Sequence, residues 1–119
     1  MTGQNPQGLG APHVNPERMA DLIQSLGEGL SDVIDAYLED TPEIISEMRR
    51  CSISGDLESL SRLAHSLKSS SGIFGADRLA AVCRALESSE SIATLKRSEI
   101  IAGIADAFMD VRDALELYR

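Results

Sequence analysis

The chain of 119 residues has no tryptophan and only two tyrosines and two phenylalanines. Its core cannot be built on rings and must come mainly from Leu, Ile, Val, Ala and Met, a composition that favours helices. The same scarcity removes the stacking platforms on which single-stranded nucleic-acid bases rest. Cys51 and Cys83 are the only cysteines. Two isolated thiols make neither a disulfide framework nor a metal cluster. Cys83 lies on an apolar helical stripe and reads as a free, buried thiol. The apolar runs are far too short to cross a bilayer, and no charged-then-apolar leader opens the chain. A cytoplasmic protein without membrane contact is the expectation. Period-two alternation, the mark of a half-buried strand, is missing throughout, and so is any tight hairpin signal.

Positive charge is also scarce: 11 Lys and Arg stand against 19 Asp and Glu, for a net charge of −8. That balance argues against a nucleic-acid binder, which needs clustered cations. The deficit is uneven. Glu17 to Glu47 holds nine acids and one base, whereas Met48 to Glu87 holds six bases and four acids. The acidic half reads as a solvated helix face that aids solubility. The mildly basic middle is the sharper candidate for phosphate chemistry.

What is present is helical periodicity. Residues 1–15 lack it, are rich in Gly, Pro, Asn and Gln, and read as a flexible tail or linker that holds His13 as a bystander. Asn15-Pro16-Glu17 combines a capping residue, a proline suited to the first helical position and an acid at the positive end of the dipole. A short helix follows, with Met19, Leu22, Ile23 and Leu26 on its apolar side, and stops at Gly27. The next segment, from about Ser31, carries Leu30, Val33, Ile34, Tyr37, Leu38, Ile45 and Met48. Pro42 predicts a kink or break near Thr41. Gly55-Asp56 marks a turn and cap. Leu57, Leu60, Ala64, Leu67, Ser71 and Phe74 then keep a three-four spacing, and Gly75 is placed to end that helix in the left-handed region. Leu79, Val82, Cys83 and Leu86 define another helix, and Ile101, Ile104, Phe108, Val111, Leu115 and Tyr118 the last. The fold class is all-α: an antiparallel four-helix bundle with an additional short N-terminal helix, over residues 16–119.

One histidine stands inside this pattern. At 3.6 residues per turn, positions 61, 65, 68, 69, 72 and 76 share one stripe, which reads Ser61, His65, Lys68, Ser69, Gly72 and Ala76. Taken alone, a helical histidine at the edge of an apolar stripe is an ordinary surface residue. Here an imidazole and one cation are surrounded by side chains too short to hide them, a surface that another macromolecule can approach closely.

The wider string resembles the histidine-containing phosphotransfer (HPt) family. Its motif is an Ala-His pair, Leu-Lys, small residues and a glycine, Gly-Ala at a helix junction, then Leu-x-x-x-Cys-x-x-Leu-Glu. The chain supplies Ala64-His65, Leu67-Lys68, Ser69-Ser70-Ser71-Gly72, Gly75-Ala76, Leu79, Cys83 and Leu86-Glu87. One departure is Ser69, where the family usually has glycine. Glu87 is the less distinctive match.

The resemblance implies a phosphocarrier rather than an enzyme, with His65 as phosphoryl acceptor from a receiver-domain phosphoaspartate. A free imidazole is largely neutral near neutral pH, which leaves one ring nitrogen with a lone pair for in-line attack. Lys68 would steady the charge on the phosphoryl oxygens. Glu87, expected on the adjacent helix, would hold the other ring nitrogen, as the acid of a triad holds its histidine. Ser61, Ser69, Gly72 and Ala76 would admit the partner. No cofactor is expected on the chain, because Mg²⁺ would come with the receiver, and no phosphate-cradling glycine loop suggests ATP binding. The expected partners are receiver domains of response regulators or of a hybrid histidine kinase, met by a monomer. Three rivals remain: the phosphoacceptor domain of a chemotaxis-type kinase, a helical adaptor that handles no phosphate, and a cofactor-carrying bundle. The last is disfavoured because His65 has no second histidine nearby to complete a site.

Overall fold

The computed structural model describes residues 12–119, and residues 1–11, most of the expected tail, lie outside the described residues. The described residues form five α-helices: α1 (Pro16–Leu26), α2 (Gly29–Ser54), α3 (Leu57–Ile73), α4 (Asp77–Arg84) and α5 (Thr94–Glu116), with a short 3₁₀ turn at Ser89–Ser91. No strand occurs among the described residues. α2, α3, α4 and α5 pack in a ring, each against its neighbour in order and α5 back onto α2, while α1 lies against α2. Tyr37, early in α2, bonds Ser71, late in α3, and Ser52, late in α2, bonds Arg97, early in α5. Both pairs are therefore antiparallel, as the short turn between α2 and α3 requires of that pair and the closing of the ring requires of α2 and α5.

Each helix buries the stripe that its spacing marks out. Leu60, Ala64, Leu67 and Ser71 of α3 are buried, as are Leu79 and Cys83 of α4 and Ile101, Ile104, Phe108, Val111 and Leu115 of α5. Tyr37 stands where the helices meet, its ring 5.0 Å from Phe74 and 5.8 Å from Phe108 in tilted and edge-on contacts. Its hydroxyl and that of Ser71 satisfy each other at 2.8 Å, so neither leaves an unpaired polar atom in the core. Burial pushes the phenol up to about 12 despite that bond. Arg97, also buried, donates to the Ser52 hydroxyl at 3.1 Å and the Ser52 carbonyl at 3.1 Å, tying a carbonyl left over at the end of α2 to α5.

Two expectations need correction, the first only in its alternative of a break at Pro42. α2 passes through Pro42 as one helix of 26 residues. The proline removes one backbone bond, whereas Tyr37, Thr41, Ile45 and Met48 stay buried on both sides of it, so packing outweighs the break. Thr41 adds a side-chain bond to the Tyr37 carbonyl at 2.7 Å. The stretch before α1 is also more than a tail. Val14 is buried, and Asn15 both caps α1 through its side chain and donates its backbone N–H to the Phe74 carbonyl at 3.0 Å.

That last contact meets Gly75, whose φ of +67° is the left-handed turn expected of it. A Cβ there would also collide with the Asn15 side chain. Gly75→Ala should therefore cost about 3 kcal/mol, from the left-handed backbone and the overpacking together. Chemical denaturation checks this. A loss below about 1 kcal/mol, the worth of the backbone conformation alone, would mean that the α1 entry yields freely.

Candidate functional site

The burial of Leu60, Ala64 and Leu67 decides where the neighbouring residues point. His65 follows Ala64 by one position, so it turns away from the core, and its side chain is 66% exposed. Lys68 lies one turn further along the same face, with its side chain only 24% exposed. Ser69 is exposed and Gly72 partly so.

Opposite them is Glu87. α4 ends at Arg84, and residues 85–88 continue as tight turns, with Leu86 N–H bonding the Cys83 carbonyl at 3.0 Å and Glu87 N–H the Arg84 carbonyl at 3.1 Å. Glu87 thus sits just beyond the adjacent helix rather than on it. Leu86 is fully buried and anchors the turn. One carboxylate oxygen, Oε2, receives both cationic candidates: Lys68 Nζ at 2.6 Å and His65 Nδ1 at 3.4 Å. The first is a short charge-assisted bond and the second is long, so the carboxylate belongs first to the lysine. The histidine holds the edge of the same group.

His65 lines an open cleft together with Ser61, Arg62 and Glu87, and with Nδ1 turned to Glu87 the other ring nitrogen, Nε2, points away from that carboxylate. A carboxylate accepts, so Nδ1 must carry the proton for this contact to be a hydrogen bond, and Nε2 then keeps its lone pair. The arrangement can perform nucleophilic attack on an electrophile delivered from outside. Among the described residues no group of three metal-ligating side chains occurs.

The structure brings the side chains of His65, Lys68 and Glu87 together, although Glu87 stands beyond the helix on which register had placed it. It treats the expected docking residues unequally. Ser69 and Gly72 flank the histidine at the surface, but Ala76 has no exposure at all. The helix ends before it: Gly75 reverses the chain, and Ala76 turns inward as the first residue of the α4 junction, its N–H bonded to the Ser71 carbonyl at 3.1 Å. A stripe drawn by extending α3 past its end therefore misplaces Ala76. Ser61 is half-buried, and its hydroxyl donates to the Glu87 carbonyl at 2.8 Å. Arg62, which lines the cleft and bonds Ser59 Oγ at 3.1 Å, escapes a reading confined to the small-residue stripe. Its place three residues before His65 is the signal that marks it. Cys83 is a free buried thiol, pushed up to about 12 by burial and then by the Glu87 charge. It is core.

The Lys68 hydrogen bond, ahead of the opposing loss of solvent, the lysine charge and the His65 contacts, holds the Glu87 carboxyl below its usual range. A lowered folded-state value stabilises the fold above the ordinary glutamate pKa, about 4.3, and that contribution is lost as pH falls through the lowered value. Lys68→Ala should keep the fold and move the Glu87 titration, followed by carboxyl ¹³C NMR, upward toward the ordinary range. An unmoved titration would mean that the ion pair does not hold in solution.

The family model of the Hpt domain matches residues 32–117, well over half of the chain. No curated protein and no solved structure gives a match. Hpt domains interact with receiver domains in two-component phosphorelays. The matched span covers nearly all of the four-helix ring that sets His65 in the open, from the first turn of α2 through α5, and the chain belongs to the Hpt domain family, phosphocarriers on histidine rather than kinases.

Proposed function

We propose that this chain takes a phosphoryl group on His65 from the phosphoaspartate of one receiver domain and passes it to another. The observation that carries the reading is the exposed ring whose Nδ1 faces Glu87, which leaves Nε2 as the nitrogen available for attack.

The step follows from that geometry. The Nε2 lone pair forms a bond to phosphorus as the acyl phosphate P–O bond breaks, and the departing carboxylate of the receiver keeps the electron pair. The ring, still protonated at Nδ1, gains positive charge. The Glu87 carboxylate beside it offsets that charge and fixes the ring orientation, as in a triad. Lys68 stands one turn away and carries the cation that the phosphoryl oxygens need. In the resting site Glu87 engages that cation, so the arriving phosphoryl group must draw Lys68 from the carboxylate. Mg²⁺ and the acidic pocket belong to the receiver.

Docking rests on Ser69 and Gly72. A Cβ added at Gly72 would meet nothing within 4 Å, so nothing inside this chain demands glycine there. The absence of bulk serves an incoming surface instead.

The deciding experiment is phosphotransfer from a phosphorylated receiver domain, read as acid-labile phosphate on this chain. Wild type should be labelled and His65→Gln should not; label that survives the substitution moves the acceptor elsewhere. Glu87→Ala should lower the transfer rate by roughly 100-fold, the lower end of the range typical of general acid–base partners. The same variant should release His65 from the Nδ1–H tautomer, seen in ¹⁵N ring shifts. A ring that keeps its tautomer without the carboxylate would remove the orienting role.

A further inference from the structure

Glu87 acts from a turn, and a carboxylate is only as well aimed as the backbone that bears it. Residues 85–88 lie outside α4, and the tight turns that carry the chain on, with the Ala85, Leu86 and Glu87 N–H groups bonded to the Val82, Cys83 and Arg84 carbonyls, do not by themselves set its distance from α3. Two anchors tie the turn to the rest of the bundle. Leu86 is buried in the core on one side of the turn. On the other, Ser61 Oγ donates to the Glu87 carbonyl across the gap between α3 and this turn, at 2.8 Å.

The choice of partner is informative. A serine inside a helix ordinarily turns its hydroxyl to solvent or back to the carbonyl one turn before it. Ser61 instead spends it on another element, and on the one residue there whose side chain reaches His65 and Lys68. Ser61 precedes His65 by four residues, one turn of the same helix. The helix that presents the ring therefore also sets the height of the carboxylate that orients it.

Resting on the reading of His65 as acceptor and Glu87 as its orienting group, we propose that Ser61 is a positioning residue. It locks the turn after α4 to α3 so that the Glu87 carboxylate stays against His65 and Lys68. This role replaces the docking function that its place on the small-residue stripe implies.

The test uses the full chain and a phosphodonor with no docking surface, potassium phosphoramidate, so that positioning is read apart from partner fit. Ser61→Ala should slow phosphorylation of His65, followed by ³¹P NMR, by roughly two- to tenfold, the fold-change that one ordinary intramolecular hydrogen bond is worth. It should also move the His65 ring ¹⁵N shifts toward those of Glu87→Ala. Ser61→Thr, which keeps the hydroxyl, should restore both. In a Glu87→Ala background the serine change should add nothing, because the group it positions is gone.

Unchanged ring shifts in Ser61→Ala, or an equal effect with and without Glu87, would overturn the proposal. The ring measurement is independent of phosphate uptake. Should His65 accept no phosphate in wild type, shifted ring nitrogens in Ser61→Ala would still support the positioning bond while the carrier reading fell.

Discussion

The stripe of Leu60, Ala64, Leu67 and Ser71 buried against α2 and α4 is the constraint from which the site follows. Four buried positions at helical spacing leave α3 no freedom to rotate about its axis, since any rotation would drive polar residues into the core. His65 is next in sequence to a fully buried residue and is nevertheless open, because one step along a helix is a turn of about 100°. The exposed imidazole is thus a consequence of what the helix hides. The Tyr37–Ser71 bond reinforces that setting from inside, since its geometry is satisfied in one register of α2 against α3.

On this rigid helix the polar residues divide the work by distance. Lys68 and His65 meet the same oxygen of Glu87, but at 2.6 Å and 3.4 Å, so the lysine sets where the carboxylate rests and the histidine borrows its edge. The resting site is electrically closed, with one cation committed to one anion. In the proposed function a phosphoryl group would bring the negative charge that reopens it, with the lysine stem swinging while the helix stays still. Such a site would need no pocket of its own, because a docked receiver would supply the walls. The small residues beside His65 fit that division.

Much of this was legible in the residues themselves. The period of the apolar positions predicts all five helices, and Gly75 announces the turn between α3 and α4. The His65–Lys68 spacing is legible because both lie on one helix, where sequence distance converts directly to space. Legibility fails where that conversion fails. Ala76 falls on the stripe only if α3 continues past Gly75, and it does not. Pro42 promises an interruption that the buried residues on either side override. Val14 and Asn15 close a stretch that reads as a tail because no local pattern marks the burial of Val14, and the Phe74 carbonyl that Asn15 bonds lies about sixty residues away.

Periodicity within single helices marks the fold class, the exposed face of α3 and the place of His65 on that face. How residues of different elements meet depends on the packed bundle: Glu87 stands beyond α4 and gives its oxygen first to Lys68, Ser61 spends its hydroxyl on the Glu87 backbone, and Arg97 closes the far end of α2. Side-chain contacts across a turn depend on where the turn leaves the chain. That is set by packing summed over the whole bundle and is written in no local pattern.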